Sequence, residues 1–142
     1  MIVKSKRFLF IAISVIVALL LIFTTFLSVF GPRKLKNELP QDGIVSVTLV
    51  NESEHTWKEI SKDKIVLFQK VLDELTYIKR FDEPIGCWKH RKHYLIKYNG
   101  CLVKIKECSF SVFRNGEKER EIFFYGIFPS EQFYALETLF AE

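Results

Sequence analysis

The chain has 142 residues, a formal net charge of +4 and 15% aromatic residues. The excess charge sits in one place: Lys4, Lys6, Arg7, Arg33, Lys34 and Lys36 flank an apolar run, whereas from Gly43 onward 15 basic residues meet 15 acidic ones. A neutral domain lacks the basic surface that nucleic acid requires, so no nucleic-acid partner is expected.

Phe8 to Phe30 carries no charge, no Gly and no Pro, and its only polar residues are Ser14, Thr24, Thr25 and Ser28. As a helix it reaches about 35 Å, enough to cross a hydrocarbon core of about 30 Å with some tilt. The run is longer than a signal-peptide core and is followed by no A-x-A-like site, so residues 1–31 read as a short tail and an uncleaved signal anchor. Three basic residues on each side nearly balance the positive-inside count. The short tail before the helix favours a cytoplasmic N-terminus and an extracytoplasmic domain in a single-pass cell-membrane protein.

Gly31-Pro32 ends the helix. Residues 32–42 are polar and include Pro40, which reads as a linker, and residues 43–142 read as a globular domain. Ile44 to Val50 alternates as a strand with Val45, Val47 and Leu49 on one face, and Thr56 to Ile60 is expected to return after a turn at Asn51 to His55. Ser61 suits a helix cap, and Ile65, Phe68, Val71, Leu72 and Leu75 form the apolar stripe of a helix from about Lys62 to Leu75, with Val66 off it. Tyr77 to Phe81 is a short strand, and Asp82 to Lys92 a loop.

Asn99-Gly100 predicts a two-residue type I′ hairpin. Its register sets Tyr98 against Cys101, Ile96 against Val103 and Tyr94 against Ile105, leaving His93, Leu95, Lys97, Leu102, Lys104 and Lys106 on a mostly wet face. At Asn115-Gly116 a two-residue loop would oppose Phe110 with Glu121. Pairing Phe110 with Ile122 and Cys108 with Phe124 is the better apolar match, so an odd-length loop or a bulge is expected, with another break near Glu107. Pro129-Ser130 opens a last helix with Phe133, Leu136, Leu139 and Phe140 inward. The fold class is therefore α+β: an N-terminal transmembrane helix, then a small antiparallel sheet packed against two helices.

Cysteine number is odd, and no disulfide framework is indicated; Cys101 and Cys108 read as small buried hydrophobes. Cys87, His90 and His93, spaced three apart, are the one weak candidate for metal, since thiolate and imidazole bind zinc. The cations Lys89, Arg91 and Lys92 around them disfavour it, so no metal or other cofactor is expected. Those three cations and Trp88 are instead candidates for contact with a membrane or a partner, where each cation near anionic headgroups adds about 1 kcal/mol. Phe123, Phe124, Tyr125 and Phe128 read as core, and any exposed subset would mark a partner surface.

The order of a capped helix (Ser61 to Leu75), Gly86-Cys87-Trp88, an aromatic strand ending in Asn99-Gly100, and Phe124-Tyr125-Gly126 before a short helix ending in Leu139-Phe140 resembles a family of small Gram-positive bacterial domains. These stand behind an N-terminal anchor or lipoprotein signal and have no assigned function. The resemblance implies a cell-envelope protein; with no lipid-accepting Cys after the apolar run, only the transmembrane mode of anchoring carries over. Phosphate loops and the common hydrolase and zinc-protease motifs are absent. The expected function is a non-enzymatic, membrane-tethered binding or accessory module, held through residues 8–30, whose partner could be a membrane or envelope protein. The alternative is a metal sensor or metal-dependent enzyme built on Cys87, His90 and His93.

Overall fold

The computed structural model describes residues 2–83 and 92–140. It separates into two compact units, Met1–Gly31 and Pro32–Glu142. The first is a helix, α1 (Ile2–Phe30), long and apolar enough to cross a membrane, with a mean hydropathy of 2.9 in its most apolar window. The hydroxyls of its apolar run are satisfied internally: Ser14, Thr24, Thr25 and Ser28 each donate to a backbone carbonyl three or four residues back. That suits an apolar surrounding, where an unpaired polar group is costly.

Among the described residues the second unit is an eight-stranded sheet, antiparallel at every pairing, with two helices, so the α+β class stands. In chain order its elements are β1 (Pro32–Lys34), β2 (Ser46–Asn51), β3 (Thr56–Glu59), α2 (Ile65–Glu74), β4 (Thr76–Arg80), β5 (Lys92–Tyr98), β6 (Cys101–Ile105), β7 (Ser109–Arg114), β8 (Glu117–Phe128) and α3 (Ser130–Ala135). They lie across the sheet as β1-β4-β8-β7-β6-β5-β2-β3. The twelve-residue β8 makes this offset arrangement possible. Its first half pairs with β7 and its second half with β4.

Residues 32–42 are part of the domain rather than a linker. Pro32, Arg33 and Lys34 pair with Ile78, Tyr77 and Thr76, and a 3-10 turn follows at Leu35–Glu38. Because β1 and β2 lie near opposite edges of the sheet, the chain between them must cross it. Leu35 and Leu39 drop into the core on the way. Glu38 ties this crossing down: it accepts the Tyr77 hydroxyl at 2.7 Å and the Arg120 guanidinium at 3.1 Å.

The first hairpin has the predicted register, and Tyr94, Ile96, Tyr98, Cys101, Val103 and Ile105 are all buried. Its turn differs in type. Only Gly100 has a positive φ, of 74°, the pattern of a type II turn. The type I′ geometry is found instead at the second hairpin, where Asn115 and Gly116 have φ of 53° and 80°. The loop there has two residues, Arg114 against Glu117, and a bulge between Phe113 and Val112 then restores Phe110 opposite Ile122. The Phe124 N–H donates to the Cys108 carbonyl, which completes the shifted register.

Helix α2 is preceded by a 3-10 turn at Lys62–Lys64, and Ser61 makes no side-chain cap bond. Phe68, Leu72 and Leu75 are fully buried and Ile65 and Val71 pack against them, while Val66 is 77% exposed. The C-terminal helix is short, its side-chain cap is also absent, and a 3-10 segment, Leu136–Phe140, completes it. Two groups of rings fill the core. Phe68, Tyr94, Phe133 and Phe140 meet beneath the helices, and Tyr77, Phe110 and Phe124 meet where β4, β8 and β7 come together.

Candidate functional site

The site begins with two residues on adjacent strands. In the β5–β6 register Tyr94 faces Ile105 on the core side. Phe133 of α3 packs on Tyr94, ring centroids 5.9 Å apart. One residue along, Tyr134 points outward and is half exposed. Its hydroxyl donates to the Glu107 carboxylate, which comes from the turn between β6 and β7. This bond bridges helix and sheet and separates two cavities. One, of about 130 Å³, is lined by Lys92, Tyr94, Ile105, Glu107, Phe133, Tyr134 and Glu137. The other, of about 300 Å³, lies between Glu107, Cys108, Phe133, Tyr134 and the Tyr125–Ser130 segment.

The electrostatics of the first cavity are asymmetric. Two carboxylates, Glu107 and Glu137, face one ammonium, Lys92, which pairs with Glu137 at 3.3 Å. Both tyrosines remain protonated at neutral pH. Burial, reinforced by Glu137, pushes the Tyr94 hydroxyl well above its ordinary value, and the hydrogen bond to Glu107 raises Tyr134. The cleft thus offers aromatic faces, two phenols and two carboxylates, a set that attracts a cation.

The residues singled out from sequence fall elsewhere. Cys87, Trp88, Lys89, His90 and Arg91 lie outside the described residues. Lys92 reaches the cleft rim. His93 belongs to the opposite face of the sheet, as the register required, but it is buried rather than wet, with 6% exposure. Its Nδ1 is 3.5 Å from a Glu52 carboxylate oxygen. Burial and the nearby Lys104 and Lys106 lower its pKa to about 4, Glu52 opposing them. Those lysines repel a divalent cation as they repel a proton. Cys101 is a free, buried thiol as expected, but Cys108 is not: it is disulfide-bonded.

Of the four aromatics read as core, Phe124 is fully buried and Phe123 half-buried, whereas Tyr125 and Phe128 are 67% and 45% exposed. Sequence reasoning missed the cleft because three separate segments build it. Tyr94 and Phe133 carried only a core signature, and Glu107 and Glu137 sit singly in polar surroundings.

An α+β domain behind an apolar helix, with an aromatic and acidic cleft, is the class these features define. Comparison with known proteins found no matching family model, no matching curated protein and no matching solved structure.

Proposed function

We propose that this chain is a membrane-tethered, non-enzymatic binding module of a bacterial cell envelope, with α1 as an uncleaved signal anchor and the domain outside. The observation that carries the binding reading is the cleft beside Tyr134. Its chemistry fits an ammonium group on an apolar stem, such as a lysine side chain of a partner protein. The stem would lie against Tyr94 and Phe133, and the charge would meet Glu107 and Glu137. The Lys92–Glu137 pair is an intramolecular instance of the same contact. The resemblance to anchored Gram-positive domains supports the envelope assignment.

Titration of the full chain in lipid nanodiscs with butylammonium, and with butanol as the neutral control, tests this reading. The expected result is saturable amide shifts at Phe133 and Tyr134 with the cation alone, lost in Glu107→Gln/Glu137→Gln. Equal responses to both probes, or none, would remove the binding reading.

The disulfide at Cys108 supports the outward orientation, since such bonds persist in oxidising compartments and are rare in the cytosol. Thiols trapped by acid in intact cells and then alkylated under denaturing conditions are expected to leave Cys108 unreactive before reduction and reactive after it, with Cys101 reactive in both. Three reactive cysteines without reductant would place the domain in the cytoplasm.

A further inference from the structure

The larger cavity beside Tyr134, of about 300 Å³, differs in chemistry from its neighbour. Glu107 is the only charged side chain among the described residues that line it, and its carboxylate already accepts the Tyr134 hydroxyl. Cys108, Ile127, Phe128 and Phe133 add apolar wall. Tyr125, Phe128 and Tyr134, all at this cavity, are three of the five aromatic residues exposed in the described part of the domain; Trp57 and Phe81 are the others. A solitary exposed ring is ordinary on a protein surface, whereas a group of them around one hollow marks a contact surface.

The strand that walls this cavity is shaped for close approach. In the β4–β8 register Tyr77 faces Ile127 and Lys79 faces Phe124, so Tyr125 and Gly126 together stand opposite Ile78. That is a bulge, which leaves one residue out of the ladder and bends the strand. Gly126, at the bulge, presents bare backbone to the cavity, and a strand glycine of this kind often marks a place where a ligand or another chain comes close. Its φ lies outside the left-handed region, and a Cβ there would meet only the Phe128 ring, 3.7 Å away and in ordinary contact. The backbone therefore does not require glycine at 126. What a side chain would take up is the space beside Phe128.

The two cavities share Glu107, Phe133 and Tyr134 as a common wall, so residues close together in one partner segment reach both. An apolar cavity of roughly 150 Å³ already holds benzene, and the larger cavity has room for an aromatic side chain. Rings on its wall favour a ring over an aliphatic chain, through edge and offset-stacked contacts. We propose that the larger cavity is the subsite for an aromatic side chain neighbouring the basic residue bound in the smaller one, so that the partner protein is recognised by a paired basic and aromatic motif. The proposal rests on the cation-binding reading above and adds the second half of the motif.

The test titrates the full chain in lipid nanodiscs with acetylated dipeptide amides, Lys-Phe and Phe-Lys against Lys-Gly and Gly-Lys. The better phenylalanine peptide is expected to bind about tenfold or more tightly than its glycine counterpart, the gain from burying one ring. It should shift the amides of Gly126, Ile127 and Ser130 as well as those of Phe133 and Tyr134. Gly126→Val puts a side chain into the larger cavity and leaves the lining of the smaller one alone, and Phe128→Ala removes an exposed ring. Each variant is expected to cut the phenylalanine advantage several-fold while the glycine peptides keep their affinity, and that loss in either variant supports the subsite. Phenylalanine peptides no tighter than the glycine ones, or an advantage that survives both variants, would overturn the aromatic subsite and leave the cation reading standing. Absence of binding by every one of the lysine peptides would remove both.

Discussion

Phe68→Ala is expected to destabilise the domain by about 3–5 kcal/mol, the range for deleting a buried aromatic side chain. Phe68 is fully buried and is the ring through which α2 reaches the rest of the core. It makes edge contacts with Tyr94 on the sheet at 5.7 Å and with Phe140 in the C-terminal segment at 6.2 Å. Truncation would therefore leave a cavity lined by three separate elements, α2, β5 and the C-terminal segment, which relaxation closes only in part. A domain of this size commonly has about 5–15 kcal/mol in total, so the variant should lie close to its unfolding threshold. Urea denaturation of the full chain in detergent micelles, followed through the near-ultraviolet aromatic signal, measures it as a lower midpoint at constant slope. Val66→Ala, on the exposed side of the same helix, should stay within about 0.5 kcal/mol of wild type. Similar midpoints for the two variants would mean that α2 does not pack as described.

The Phe68 and Val66 contrast could be read from the sequence, because helical periodicity states directly which positions face the core. The first hairpin was legible for the same reason. Alternation of apolar residues and a turn dipeptide gave one register, although the turn itself took another type. The second hairpin was half legible. Its apolar pairing demanded a shift, but whether the extra residue sat in the loop or in the strand depends on backbone geometry, and the bulge took it. Strand β1 left almost no trace. Pro-Arg-Lys at a sheet edge is held by backbone hydrogen bonds, which any sequence can make; only Leu35 and Leu39, two isolated apolar residues in a polar segment, signalled that the chain crosses a core there. The cleft was hidden for a topological reason. It joins β5, the β6–β7 turn and the C-terminal helical segment, and no local pattern records that Tyr134 reaches Glu107.

His93 illustrates the limit most sharply, and it leads to the second large effect. The register placed it on the face opposite Tyr94, and that face was expected to be wet. In the sheet, however, β5 is central, and Val50, Ser109 and Ser111 on the same face are buried with it. The imidazole is consequently held neutral, at a pKa of about 4, by burial first and then by Lys104 and Lys106, with Glu52 only partly offsetting them. In the unfolded chain the same group titrates near 6.5. Between these two values the unfolded state binds a proton that the folded state refuses, so acid favours unfolding. Stability is whole above pH 6.5, falls as the pH drops from 6.5 towards 4, and from this group loses nothing more below that. The loss at pH 4.5 is expected to be about 2–3 kcal/mol relative to pH 7.5. Carboxylates contribute their own acid sensitivity, so the comparison that isolates His93 is the difference between wild type and His93→Gln, which keeps a polar side chain but cannot titrate. Denaturation midpoints of the two proteins should converge as the pH falls from 7.5 to 4.5. Parallel curves would assign the acid sensitivity to the carboxylates and leave His93 as an ordinary solvated histidine.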